Sequence, residues 1–231
     1  MTNIIHNRNE EQQSRGTRVL IVTAVDAEKD AVLRGLGGNT KADVIAAGVG
    51  PAYAAASTAV ALAAADEPYG LVISAGIGGG FDGVAAIGTL VVADEIIAAD
   101  LGAESHDGFI SVDELGFGTA RLEADPAWSR RIYDALQAAG LSAVLAPALT
   151  VSTATGSAAT AAAHAARIPG AAAEGMEGYG VAVAAQRLDI PFTELRAISN
   201  AVGPRDRAAW RIGEALAALE AASAAILEVL E

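Results

Sequence analysis

The sequence predicts an α/β domain built on a mostly parallel, buried sheet. Three observations lead there. Short β-branched runs alternate with longer stretches of helical periodicity from Arg18 onward. No internal repeat or Pro/Ser-rich linker divides the 231 residues, so one domain after a short tail is expected. Roughly a quarter of the chain is alanine, which buries little area per residue, yet Val, Ile and Leu clusters suffice for a sizeable core.

Arg18–Ala24 (RVLIVTA) reads as the first strand and Asp26–Leu36 as a helix. A second strand over Val44–Ala47 leads to a helix that Pro51 can open, because a first-turn N–H is not needed there. Gly70–Ala75 (GLVISA) is a third strand that ends in a run of glycines. Leu90–Ala98 is a fourth, Ala143–Val151 a fifth and Pro191–Ser199 the last. Helices fit Pro126–Gly140, Met176–Leu188 and Arg207–Leu230, the final one with Ile212, Leu216, Leu219, Ile226 and Leu230 on one stripe. Ligands of such sheets bind beyond the carboxyl ends of the strands. Those ends are Thr23–Glu28, Gly48–Pro51, Ser74–Gly83, Val151–Ser157 and Ser199–Asp206, which brings Gly76, Ile77, Gly78, Thr155 and Gly156 among the candidate binding residues.

Charge and composition exclude several function classes. The net charge is −13, from 15 basic and 28 acidic residues, so a polyanionic nucleic acid is not the partner. Without cysteine there are no disulfides, thiolate metal sites or cysteine nucleophiles. His6, His106 and His164 have no metal-ligand spacing; no metal and no cofactor are expected. Val44–Ala65 carries no charge, but Gly48, Gly50 and Pro51 interrupt it and the remainder is mostly alanine, so no membrane span is expected. Residues 1–17 are polar with no apolar core segment and read as a disordered tail, not a signal peptide, which predicts a cytoplasmic protein.

Gly78, Gly80 and Gly83 satisfy the letters GxGxxG, but they run into strand-like IGTLVVADEI and not into a helix that could hold pyrophosphate. They read as a loop where backbone approaches something closely. There is no GxxxxGK[ST], and Ser74 lacks the preceding glycine of a nucleophile elbow. Three segments carry more. In TAVDAEKDAV, Glu28 falls in the first turn of a helix, where an acid also simply complements the dipole. In AEGMEGYGVA, Glu177 follows Met176 among Gly175, Gly178 and Gly180, which suggest close approach or tight packing; the acid could bind a sugar diol or cap the helix. In RAISNAVGPRDRAAW, Asn200 stands at a strand's carboxyl end, where an amide can also cap a turn.

Taken together, these segments resemble the purine nucleoside phosphorylase/nucleosidase superfamily over nearly the whole chain beyond the tail. The resemblance rests on TAxxxE in strand one, AAGVGP (Ala46–Pro51), SAGIGGGF (Ser74–Phe81), the MEG segment and RAISN. DLGAESHDGF (Asp100–Phe109) and ISNAVGPRDRAAW (Ile198–Trp210) look like its futalosine-cleaving branch. The resemblance implies a three-layer α/β/α phosphorylase-like fold with a mixed sheet, usually a homo-oligomer. It also implies a small-molecule nucleoside substrate and hydrolysis of futalosine to hypoxanthine and dehypoxanthine futalosine, in menaquinone biosynthesis. Glu28 then matches the acid that activates water, Glu177 the acid at the ribose hydroxyls, and Met176 packs beside the sugar.

Asn200 departs from the aspartate of relatives that cleave methylthioadenosine. Adenine protonated at N7 shows two adjacent donors, N7–H and the amino group, which suit a carboxylate. Hypoxanthine shows N7–H beside the acceptor O6, which suits a primary amide. Against adenine the amide NH₂ would face another donor, at a cost of about 1–3 kcal/mol. The residue type therefore argues for a 6-oxopurine. Asp206 is the nearest acid in sequence, and its neighbours Arg205 and Arg207 suggest a structural ion pair in preference to a proton donor. The 5′ aryl carboxylate calls for a cation: His106, Arg121 and Arg205 are candidates. Two readings stay open beside hydrolysis of futalosine. One is another 6-oxopurine nucleosidase or phosphorylase of the same fold, the other a catalytically silent nucleoside-binding protein.

Overall fold

The computed structural model describes residues 18–230; the tail expected over residues 1–17 lies outside them. The strands are β1 (Val19–Thr23), β2 (Ala42–Ala46), β3 (Leu71–Gly80), β4 (Leu90–Val92), β5 (Glu95–Ala98), β6 (Gly102–Ser105), β7 (Gly108–Ser111), β8 (Arg121–Glu123), β9 (Ala143–Leu145), β10 (Ala148–Thr150), β11 (Ala173–Gly175) and β12 (Phe192–Ala201). The helices are α1 (Asp26–Leu36), α2 (Pro51–Ala63), α3 (Pro126–Ala138), α4 (Ala158–Arg167), α5 (Gly178–Gln186) and α6 (Ile212–Leu230). One mixed sheet runs β8-β5-β10-β11-β3-β12-β4-β9, with β1 and β2 added at β3. β6 and β7 form a separate hairpin.

Alternation along each strand sorts its side chains into two cores. Val19 and Ile21 of β1 pack with α1, α3 and α6, whereas Leu20 and Val22 pack with α2 and α5. That is the expected three-layer α/β/α arrangement. Among the described residues no helix is long and apolar enough to cross a membrane.

Several expected boundaries shift for local reasons. The glycine run is not a loop: β3 continues to Gly80 because strands pair along both of its edges. Leu90–Ala98 divides at Ala93–Asp94, where β4 leaves β12 and β5 joins β10. Ala143–Val151 divides at Pro147, which has no N–H to give a ladder. The last helix starts later, at Ile212, after a 3₁₀ turn over Arg207–Ala209, and Ile212 is exposed instead of sharing the buried stripe. The short β8 and β11 fall below the length at which periodicity shows. Alanine-rich α4 has no apolar face to mark it.

The topology of β3 creates the site. One edge pairs with β12 for nearly its whole length. The other edge pairs with β1 over Leu71–Ser74 and with β11 only at Gly79–Gly80. Between them the ladder is open.

Candidate active site

A cavity of about 410 Å³ lies over that opening, a volume suited to one small molecule. Glu28, Ile77, Gly78 and Thr155 line it, as do Met176, Glu177, Asn200 and Arg205. Gly76 lies behind the wall: a Cβ there would come within 2.7 Å of both Glu28 Oε1 and Arg196 Nη1. Gly156 packs under the stem of Arg205 and does not line the cavity. His106 sits at the exposed turn of the β6–β7 hairpin, away from the cavity lining, because that hairpin stands apart from the main sheet. Arg121 is engaged with Glu95 at 2.8 Å. Asp206 caps the 3₁₀ turn by accepting from Ala208 N–H at 3.1 Å, in place of the expected ion pair with its arginine neighbours.

Glu28 fills the gap in the ladder. Its Oε1 accepts from Ile77 N–H at 2.9 Å, and its Oε2 accepts from Ala24 N–H at 2.9 Å and Val25 N–H at 3.3 Å. As the third residue of α1 it reaches back to its own helix start, so the ordinary structural role is present too. The same carboxylate also lines the cavity.

Arg196 lies beneath, on β12, and is 1 % exposed. Its Nε donates to Glu194 Oε1 at 2.6 Å, its Nη2 donates to Ser74 Oγ at 3.0 Å, and its Nη1 is 3.3 Å from Glu177 Oε2. Burial works against the charged guanidinium, and Glu194, Glu177 and Glu28 outweigh it, holding Arg196 above its ordinary value. Burial pushes the Glu194 carboxyl up, and Arg196 only partly offsets this. Glu177 also accepts from Gly50 N–H and Met176 N–H, each at 3.2 Å. The glycines of the MEG segment are where these groups approach: a Cβ on Gly178 would sit 2.0 Å from Glu194 Oε2, and one on Gly175 3.0 Å from the Arg196 guanidinium. With three carboxylates around one guanidinium, the site favours a developing cation and disfavours a bound anion.

Asn200 reaches the cavity through a β-bulge. Ile198 pairs with Gly78 and Asn200 with Gly79, leaving Ser199 as the extra residue. In an unbroken strand Asn200 would share a face with Arg196 and Ile198; the bulge turns it to the other face. The Ala201 carbonyl can only accept, so it fixes the amide NH₂ end by a 3.0 Å bond, and Ser199 Oγ donates to Oδ1 at 2.8 Å. One amide proton and one lone pair remain for a ligand.

The residues 12–231 match the family model of the phosphorylase superfamily. The chain belongs to the phosphorylase superfamily. Relatives within it include a futalosine hydrolase of Streptomyces coelicolor, 54% identical over 92% of this chain and 96% of that protein. A futalosine hydrolase of Acidothermus cellulolyticus is 50% identical over 90% and 89%. Among solved structures, the methylthioadenosine/S-adenosylhomocysteine nucleosidase of Neisseria meningitidis in complex with methylthio-immucillin-A superposes with a TM-score of 0.78 at 19% identity, covering 91% and 98% of the two chains. The native futalosine hydrolase of Helicobacter pylori gives 0.76 at 17% identity, covering 94% and 98%. These two likenesses concern the fold.

In this phosphorylase-superfamily chain, four site residues escaped the reading of the sequence: Arg196, Glu174, Ser199 and Trp210. Glu194 and Arg196, two apart in an otherwise uncharged strand, were a usable signal, since buried charges come paired. Glu174, 8 % exposed, accepts from Thr155 N–H at 2.8 Å and from Thr155 Oγ1 at 2.5 Å. Trp210 lines the cavity beside Arg205, whose guanidinium carbon is 5.6 Å from the ring centroid.

Proposed function

We propose that this chain hydrolyses futalosine to hypoxanthine and dehypoxanthine futalosine, with Glu28, Glu177 and Asn200 in the roles that the family resemblance implies. The observation that carries the reading is the Ser199 bulge, which turns a carboxamide toward the same cavity that Glu28 and Glu177 line. The names of the relatives above, at 54% and 50% identity, support the substrate.

The C1′–N9 bond breaks with its electron pair leaving on the purine, and a water oxygen bonds to C1′. Glu28 takes the water's proton. Glu177 binds the ribose hydroxyls and, with Glu28, lies near the positive charge that develops on the sugar. A solvent proton reaches N7, and Asn200 then accepts from N7–H while donating to O6. Met176 packs beside the sugar. Asn200→Asp is expected to cut hypoxanthine release ten-fold or more, matching about 1–3 kcal/mol for a mispaired buried polar group. Unchanged turnover in that variant defeats the role given to Asn200.

Water and not phosphate is the attacking group in this reading. The segments Gly48–Pro51 and Ser74–Gly83 contain no arginine. Arg196 stands nearby, but carboxylates hold it on more than one side. Release of the base, hypoxanthine from futalosine and inosine and adenine from methylthioadenosine, each with and without phosphate, tests the proposal. The expected result is release from futalosine at a rate indifferent to phosphate. Phosphate-dependent turnover would make the chain a phosphorylase, and no release from any substrate a binding protein.

Arg205 and Trp210 support recognition of the 5′ aryl carboxylate, a cation beside a ring that can stack. Arg205→Ala is expected to raise KM for futalosine by about ten-fold, the scale of a charge-assisted hydrogen bond, and to leave KM for inosine unchanged. Equal effects on both substrates would place the 5′ contact elsewhere. The menaquinone route, a cytoplasmic location and a homo-oligomer belong to the same reading. The apolar Tyr53 and Val60, exposed on α2, support the last, and the solution mass checks it.

A further inference from the structure

Of the three carboxylates around Arg196, Glu28 and Glu177 line the cavity and Glu194 does not. Glu194 is fully buried on β12, and its Oε2 has no hydrogen-bond partner among the described residues. A buried ion pair stabilises weakly, because the loss of hydration offsets the attraction. Stability alone therefore gives little reason for an acid at this position. What the acid touches gives a better one.

Glu194 and Arg196 lie two apart on β12, so both face the layer that holds α5, as Phe192 and Ile198 do. Glu194 Oε1 accepts from Arg196 Nε at 2.6 Å, and Ser74 Oγ accepts from Nη2 at 3.0 Å. The guanidinium is rigid and planar, so fixing two of its nitrogens fixes the third. That third nitrogen, Nη1, is the one 3.3 Å from Glu177 Oε2. The same carboxyl group lies against the backbone next to Glu177: a Cβ on Gly178 would collide with Cδ and both oxygens of Glu194. Glu194 thus supports Glu177 from two directions, through Arg196 at its side chain and through Gly178 at its main chain.

Glu177 has use for that support. It stands at the start of α5, yet its side chain caps no N–H of that helix, so the helix does not aim it. A carboxylate that receives a vicinal diol has to hold both oxygens in place before the ligand arrives, and a small displacement is costly.

We propose that Glu194 is a positioning residue: it touches no substrate, and it aims Glu177 at the ribose hydroxyls by holding Arg196 and packing under Gly178. The proposal rests on the nucleosidase reading above, which gives Glu177 the diol.

Competitive inhibition of futalosine hydrolysis by inosine and by 2′,3′-dideoxyinosine tests it, because only inosine carries the hydroxyls. Wild type is expected to bind inosine at least about ten-fold more tightly, the scale of hydrogen bonds to a charged group. Glu194→Asp keeps the acid but is one methylene too short to hold Arg196 Nε. It is expected to bring that ratio down to about two- or three-fold, by weakening inosine and leaving dideoxyinosine nearly unchanged. Glu194→Gln has the full length and still offers an oxygen to Nε, and it is expected to keep most of the ratio. Equal weakening of both nucleosides in Glu194→Asp would make Glu194 a structural residue and overturn the proposal. So would a ratio lost in Glu194→Gln and kept in Glu194→Asp, which would mean that charge and not position matters. Should Glu194→Asp not fold, Glu194→Met, of similar volume to glutamate and without an acceptor, replaces it with the same expectation. A wild type that does not hydrolyse futalosine, or that binds both nucleosides equally, fails the reading beneath the proposal, a result visible before any variant is made.

Discussion

Glu28→Gln is expected to lower kcat for hypoxanthine release by about 10²–10⁴-fold, the range of a general base. The amide keeps the shape but cannot take a proton from water. It also has one accepting oxygen where the carboxylate serves Ala24, Val25 and Ile77. Some loss of stability therefore accompanies the change, and the two effects need separate readouts. Thermal unfolding reports the lost backbone contacts; kcat at saturating substrate, measured on folded protein, reports the chemistry. KM is expected to change little, because binding of the ribose falls to Glu177. A kcat within about three-fold of wild type, far below that general-base range, would leave Glu28 as a helix-start acid and nothing more.

The second large effect is on stability. Arg196→Met is expected to cost about 3–5 kcal/mol in chemical denaturation, because it leaves buried carboxylates without their cation. Glu194 is fully buried and its Oε2 has no hydrogen-bond partner among the described residues, so it suffers most. Adding Glu194→Gln to that variant is expected to recover part of the loss, since removing both members of a buried pair is milder than removing one. The sign with pH follows from Glu194, whose carboxyl is pushed above its ordinary value by burial and only partly offset by Arg196. Without Arg196 it rises further, and a raised carboxyl costs stability as pH climbs through its folded value. The deficit of Arg196→Met is therefore smaller at pH 5 than at pH 8. An equal deficit at both would mean that lost packing, not charge, is responsible.

Much of the fold was legible because local patterns carried it. β1, α1 and the Pro51 start of α2 lie where periodicity and a favoured first-turn proline put them. Asp26–Leu36 agrees at both ends, with Gly37 left-handed at φ 58 as its stop. The glycine run misled for a physical reason: glycine usually marks a loop, but on β3 it marks a strand whose neighbours occupy the space of a Cβ. A Cβ on Gly80 would lie 2.1 Å from the Ala85 carbonyl oxygen. His106 was attractive as a cation in a distinctive segment, and its position on a detached hairpin could not be read from neighbours in sequence.

Residue type alone established an acidic, cysteine-free α/β chain with glutamates near strand ends and an amide at the end of the last strand, because charge, periodicity and turn chemistry are written within a few positions of each other. Which of those groups meet is a matter of sheet order. β1 and β11 share one edge of β3 and leave it open between them, and a single extra residue at Ser199 decides which face Asn200 presents. Arg196 and Glu174 entered the site for the same reason. Strands far apart in sequence were brought side by side, and that pairing depends on the packing of the whole sheet, with no local signal to announce it.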